Sequence, residues 1–206
     1  MNKRSISRQK RDIADVAIDF LKFIDENYDH QERIRISLSY YRVYRKYMNL
    51  FIQSRLVIVD RDKYMVTDKG REFIQLINLL KKIIGENSSF EDIKSSILSV
   101  RDQDLDIYKT YSPKKIYIGS FLGKARSIYD IIACILYNAL SPTSKTRAMV
   151  KCGLNIIQFS KYLDILTKND LIKLNRVNGK TVLMISSRGV MYLLIYRRIV
   201  SLLAQR

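Results

Sequence analysis

"NIIQFSKYLDILTKNDLIKLNRVNGKTVLMISSRGVMY", residues 155–192, carries the clearest structural pattern in the chain. Asn155 is a helix cap by type, since its side-chain oxygen can accept from an orphan amide of the first turn. Behind it Ile156, Phe159, Leu163 and Leu166 recur at helical spacing and predict a core stripe. Two β-rich runs follow, joined at Asn178-Gly179, a dipeptide that favours the left-handed backbone of a tight hairpin. Ser186 or Ser187 then caps a last helix that runs to the C-terminus. Working back from Asn155, Gly153 is a natural stop for a short helix over 144–154. Pro142 separates that helix from a longer one over 127–140, in which Ile128, Ile131, Ile132, Ile135, Leu136 and Ala139 form a stripe.

Helix, short helix, tight turn, helix, hairpin, helix is the order of a winged helix-turn-helix. The first half repeats it more loosely. A long helix is expected over 8–27, a short one over 30–37 and a third over 40–54, capped by Ser39. "LVIVDRDKYMVT" (56–67) makes a shorter hairpin, and Thr67 caps a helix over 68–84. "KYMNLFIQSRLV" (46–57) aligns without gaps on "KYLDILTKNDLI" (161–172). "MVTDKGREF" (65–73) and "MISSRGVMY" (184–192) build one joint in different letters: an apolar pair, a hydroxyl, a basic residue, a glycine and an apolar run. Glycine so near a helix start costs propensity, which points to close backbone packing there. The expected fold is mostly α with small β wings, a tandem of winged helix-turn-helix domains. Residues 1–86 form the first, with a basic N-terminal arm; 87–126 connect, with one helix opened by the capping-box spacing of Ser88 and Glu91; and 127–206 form the second.

"KTRAMVKCGLNIIQFSKYLDILTKNDLI", with "SSRG" before the last helix, resembles an archaeal winged-helix family that includes the small coiled-coil DNA-binding proteins of the "10a" class. Residues 31–84, ending in "TDKGREF", are similar but more distant. The resemblance implies binding to double-stranded DNA and dimerisation through a long final helix. This chain departs from the pattern there, because the helix after Ser187 is only about 19 residues long and the unit occurs twice.

The net charge of +17, from 37 Lys/Arg against 20 Asp/Glu, attracts polyanions at long range. Residues 127–206 hold twelve Lys/Arg against three Asp/Glu, a net of +9; residues 1–86 hold eighteen against twelve, a net of +6. No apolar run reaches the roughly 18 residues of a membrane span. The basic start "MNKRSISRQKRD" lacks the apolar core of a signal peptide, so a cytoplasmic, nucleoid-associated protein is expected. Cys134 and Cys152 then read as two small buried hydrophobes with no disulfide between them. One histidine, His30, and no C-x-x-C spacing leave a zinc site without ligands. Asp102, Asp104 and Asp106 lack the glycine and glutamate spacing of an EF-hand. No cofactor and no metal is expected, and no glycine-rich phosphate loop supports an enzyme.

The third helix of each unit is where a helix-turn-helix meets the major groove. Over 40–54, Tyr40, Tyr44, Tyr47, Met48 and Phe51 fall on one face as core. Arg42, Arg45, Lys46, Asn49 and Gln53 fall opposite and offer bidentate partners for guanine and adenine edges. In the second unit Gln158, Lys161 and Lys168 lie on or beside an outer face shared with Ile157, Asp164 and Ile165. Lys145, Arg147 and Lys151 precede that helix, while Arg176 and Lys180 flank the hairpin tip. These residues suit phosphate contacts more than base reading, so the second unit is expected to hold the backbone. Its mixed face leaves room for a protein contact. The expected function is a double-stranded DNA-binding transcription regulator or chromatin component. A protein–protein adaptor of a transcription or replication assembly is the rival reading.

The closing helices, 68–84 and 187–205, are apolar on more than one side, so each has a second face to bury. They pair either within one chain, as an internal pseudo-dimer, or between two copies; the sequence reading favours the homodimer.

Overall fold

The computed structural model describes residues 12–26, 41–61, 63–85, 126–177 and 179–204, and for residues 13 and 41–46 the backbone alone. The basic arm, the helix expected at 30–37, the Ser39 cap, the connecting segment to residue 125 and the three aspartates at 102–106 lie outside the described residues. So do the side chains of Tyr40 and Tyr44.

The elements run α1 (Ile13–Glu26), α2 (Tyr41–Gln53), β1 (Val57–Asp60), β2 (Lys63–Val66) and α3 (Asp68–Ile84) in the first half. The second half holds α4 (Ile128–Asn138), β3 (Thr143–Ser144), α5 (Lys145–Lys151), α6 (Ile156–Lys168), β4 (Ile172–Val177), β5 (Lys180–Ile185) and α7 (Ser187–Ala204). The chain is mostly helical with two small antiparallel sheets. β1 pairs with β2, and β5 lies between β4 and β3. The two-residue strand β3 was not legible in the sequence, being too short to show a period.

The caps form as their chemistry requires. Thr67 Oγ1 accepts from the Gly70 amide at 3.1 Å and Ser186 Oγ from the Gly189 amide at 3.0 Å. Asn155 and Gln158 form a capping box, as do Ser127 and Asp130. Gly153 and Gly179 take φ of 58° and 75°, the left-handed turns expected at the helix stop and the hairpin.

The repeated joint is one piece of geometry built twice. α2 and α6 each end on a left-handed residue, Arg55 (φ 56°) and Asp170 (φ 50°). The next amide reaches back to close the helix, Leu56 to the Phe51 carbonyl and Leu171 to the Leu166 carbonyl, both at 2.8 Å. Leu56 and Leu171 are fully buried. Their carbonyls accept from the Thr67 and Ser186 amides at 3.0 and 3.1 Å, which anchors the end of each hairpin on the end of the helix before it. The capping hydroxyls add a bond to the Arg55 and Asp170 carbonyls, at 2.8 and 2.5 Å. Glycine closes the joint for a steric reason. A Cβ on Gly70 would lie 2.3 Å from the Leu56 oxygen, and one on Gly189 2.3 Å from the Leu171 oxygen. The close packing expected at these glycines is backbone against backbone.

The two halves share one core. α3 and α7 pack on each other within the chain, and the residues buried along them, among them Leu76, Leu79 and Ile83 on α3 and Ile195, Ile199 and Leu202 on α7, belong to one hydrophobic cluster. Arg198 binds Glu72 through two bonds, Nε to Oε1 at 2.7 Å and Nη2 to Oε2 at 3.2 Å. The Ser54 hydroxyl donates to the Leu203 carbonyl at 3.1 Å, and Arg188 donates to the Ile83 carbonyl at 3.1 Å. Each closing helix thus has its end held by the other half. Of the two pairings left open by the sequence, within one chain or between two copies, the one seen is within the chain, where α3 and α7 cover each other. Arg198→Ala should lower stability by about 1 kcal/mol, the range for a partly exposed ion pair with good bidentate geometry, measured by urea unfolding. An unchanged midpoint would mean that the pair is solvated and that packing alone joins α3 to α7.

A polar cluster makes a second tie. Asp12 accepts from the Ala14 amide and from the Ile128 amide, both at 2.8 Å, so one carboxylate caps α1 and meets the first amide of α4. Asp130 is fully buried and accepts from the Tyr196 hydroxyl at 2.6 Å. Tyr192, also buried, donates to the Tyr129 carbonyl at 3.1 Å. Cys134 and Cys152 are buried, as expected of small hydrophobes, but they are joined in a disulfide between α4 and the C-cap of α5, which corrects the reading of two separate thiols. Their Cα atoms lie 5.9 Å apart, well inside bridging distance.

Candidate nucleic-acid interface

α5 and α6 meet at the turn Cys152–Asn155, and β4 and β5 extend from the far end of α6 as a hairpin. Phe159, Leu163 and Leu166 bury one face of α6, as expected. Ile156, assigned to that stripe, does not follow it: the residue is 70% exposed. Leu154, just before the cap, and Phe159, at the fourth helical position, are both buried. That is the arrangement of a hydrophobic staple, which fills the core beneath the first turn and leaves Ile156 outside.

The cations of this half are at the surface. Lys145, Arg147 and Lys151 on α5, Lys161 and Lys168 on α6, and Arg176 and Lys180 on the hairpin are all exposed. None of them forms an ion pair among the described residues. Arg147 and Lys151 stand four apart on one face of α5. The hairpin register splits the other pair: Lys180 lies opposite Val177 and Arg176 opposite Thr181, so the two point to opposite faces of the wing. Lys173, which sequence reasoning passed over, is exposed and shares the face of Lys180. Its alternation with Asn175 and Val177 in β4 was the available signal.

Gln158 is exposed but partly committed. Its Oε1 accepts from the Asn155 amide at 3.4 Å, so a bidentate grip on adenine would first have to release the cap. Lys161, Asp164 and Lys168 line an open cleft of about 460 Å³ that α6 forms with Ile84 at the end of α3. The C-terminal half of α6 therefore turns toward the first half of the chain. Its first turn does not line that cleft.

In the first half, Tyr47 and Phe51 are buried, with ring centroids 6.4 Å apart, and Met48 packs against the same core. The aromatic stripe of α2 is core where it is described. Asn49 and Gln53 are exposed on the other side. The side chains of Arg42, Arg45 and Lys46 lie outside the described residues.

The order α4, α5, turn, α6, hairpin, α7, with cations along α5 and the hairpin, now stands beside one comparison. Residues 125–203 match the winged helix-turn-helix family model. No curated protein and no solved structure matches the chain. The winged helix-turn-helix so matched runs from just before the Ser127 cap to Leu203 and leaves α1 to α3 unmatched. The match takes in α4, α5 and α6, the β4–β5 hairpin and α7 up to Leu203. No described helix is long and apolar enough to cross a membrane. Among the described residues no group of three or more His, Cys, Asp or Glu could hold a metal ion.

Proposed function

We propose that the chain is a double-stranded DNA-binding protein with two winged-helix modules, acting as a transcription regulator or a chromatin component. The supporting observation is the set of exposed cations, none in an ion pair among the described residues, on α5, α6 and the β4–β5 hairpin of the segment that matches a winged helix-turn-helix. Phosphates would take Lys145, Arg147, Lys151, Arg176 and Lys180, and each such pairing would release condensed counterions. The recurrence of the helix–hairpin–helix joint in α2, β1, β2 and α3 supports a second module over residues 1–86, with Arg42, Arg45, Lys46, Asn49 and Gln53 as its groove face. The packing of α3 on α7 supports an internal pseudo-dimer that presents two modules from one chain.

The test is binding of random duplex DNA across a salt series. Arg147→Ala combined with Lys151→Ala should weaken binding about tenfold at moderate salt. The slope of log affinity against log salt should flatten by roughly 0.9 for each phosphate that the variant no longer neutralises. Arg42→Ala with Arg45→Ala should weaken binding separately if the first module also engages. A protein that ignores duplex DNA at low salt would overturn the proposal. The adaptor reading is favoured by one observation, the exposed apolar side chains Val150, Ile156 and Ile157.

A further inference from the structure

The first turn of α6 and the adjoining end of α5 carry an unusual pairing. Val150, Ile156 and Ile157 are 67%, 70% and 79% exposed, and among the described residues nothing covers them. Arg147 and Lys151 stand beside Val150 on α5, and Lys161 lies one turn beyond Ile157 on α6. These cations are exposed and free of ion pairs among the described residues.

Apolar side chains beside exposed cations call for a partner surface that is apolar in the middle and negative around it, and the net charge of +17 favours a polyanion over a protein. Duplex DNA offers that combination in its major groove. There the phosphates supply the negative rim, and the C5-methyl of thymine is the apolar group on the base edges. In a helix-turn-helix the N-terminal residues of the second helix are those that reach base edges. In α6 those residues are Ile156 and Ile157, while Gln158 is turned back onto the cap. We infer that Ile156 and Ile157 read thymine methyl groups in the major groove, so that the second module selects T-rich sites by apolar contact. This rests on the DNA-binding reading above and assigns base preference to a unit otherwise suited to holding phosphates.

The full-length protein is titrated at one moderate salt concentration against an A·T-rich duplex and against the same duplex with deoxyuridine in place of every thymidine. That exchange removes the methyl groups and keeps the pairing. Binding should weaken about fourfold for each methyl group taken out of the interface, the equivalent of roughly 0.8 kcal/mol for a methyl-sized apolar group. In Ile156→Ala combined with Ile157→Ala the ratio between the two duplexes should fall to about one, with the helical circular dichroism unchanged. A G·C duplex carrying 5-methylcytosine, which restores a methyl at the same place in the groove, should bind the natural protein more tightly than its unmethylated form. Equal, salt-sensitive binding to the thymidine and deoxyuridine duplexes would overturn the inference and leave the DNA-binding reading standing. No binding to any duplex would end both and turn the patch over to a protein partner.

Discussion

Gly189→Ala is expected to destabilise the protein by roughly 2–4 kcal/mol, and Gly70→Ala by a similar amount. The sign is opposite to the usual one, because alanine in place of glycine in a helix ordinarily gains about 0.5–1 kcal/mol. Here the added Cβ meets a carbonyl oxygen at 2.3 Å, of Leu171 in one joint and of Leu56 in the other. It also meets a side-chain Cγ1 at 2.7 Å, of Ile185 or Val66. The oxygen cannot step aside cheaply. It belongs to the residue that closes the preceding helix and also holds the end of the hairpin, so moving it opens several hydrogen bonds at once. At Gly189 the Leu136 side chain stands at 3.2 Å as a third obstacle. Gln75→Ala, at an exposed position of α3, serves as the control and should change the urea midpoint little. If both glycine variants melt with the natural protein, the joint is looser than its geometry implies.

Alkaline unfolding should be abrupt. Burial pushes the Tyr129 and Tyr196 hydroxyls well above the ordinary tyrosine range, with Asp15 and Asp12 adding to the effect at Tyr129 and Asp130 at Tyr196. Burial also raises Tyr192, with the neighbouring Tyr129, Tyr196 and Asp130 pushing the same way. A folded-state pKa above the unfolded value means that the native protein keeps protons which the unfolded chain gives up. The stability linked to these groups is whole below about pH 10 and is lost as pH rises from there toward the folded values. Each tyrosine contributes a slope of about −1.4 kcal/mol per pH unit, and three together about −4. Against a typical total of about 5–15 kcal/mol, two to three pH units are enough to unfold the chain. Far-ultraviolet circular dichroism and tyrosinate absorbance, followed together, should show the last tyrosines ionising in step with loss of helix. Tyr196→Phe removes one of the three titrating groups, so the slope should fall by about a third. Tyrosinate absorbance that reaches completion before any helix is lost would count against the buried cluster.

What the sequence made legible was local. Thr67, Asn155 and Ser186 announce caps because the capping bond spans three residues and needs only an oxygen at the right place. Asn178-Gly179 announces its hairpin for the same reason. What it hid was the pairing of distant segments. Apolar residues on two sides of α3 and α7 say that a second face must be buried, but periodicity carries no label for the partner. What packs on each closing helix is the other half of the chain, the alternative that the sequence reading ranked second. The disulfide was hidden likewise, because its cysteines stand 18 positions apart with the Pro142 break between them. Ile156 was misplaced because helical projection treats the end of a helix like its middle, whereas the core beneath that first turn is already filled by Leu154. The cations were legible by type and by region, but which face of the hairpin each one takes depends on register.

The exchange of helix ends between the halves bears on how the molecule is made. Leu203 supplies the acceptor for Ser54, and Arg188 closes the end of α3, so the first 85 residues cannot finish their own structure while the last helix is still unsynthesised. A ribosome would display the α7-facing side of α3 to water until α7 emerged, and a fragment cut between the halves would keep it on display. Expression of either half alone should yield a sticky product, and laboratories mapping the chain by truncation would do better to keep it whole.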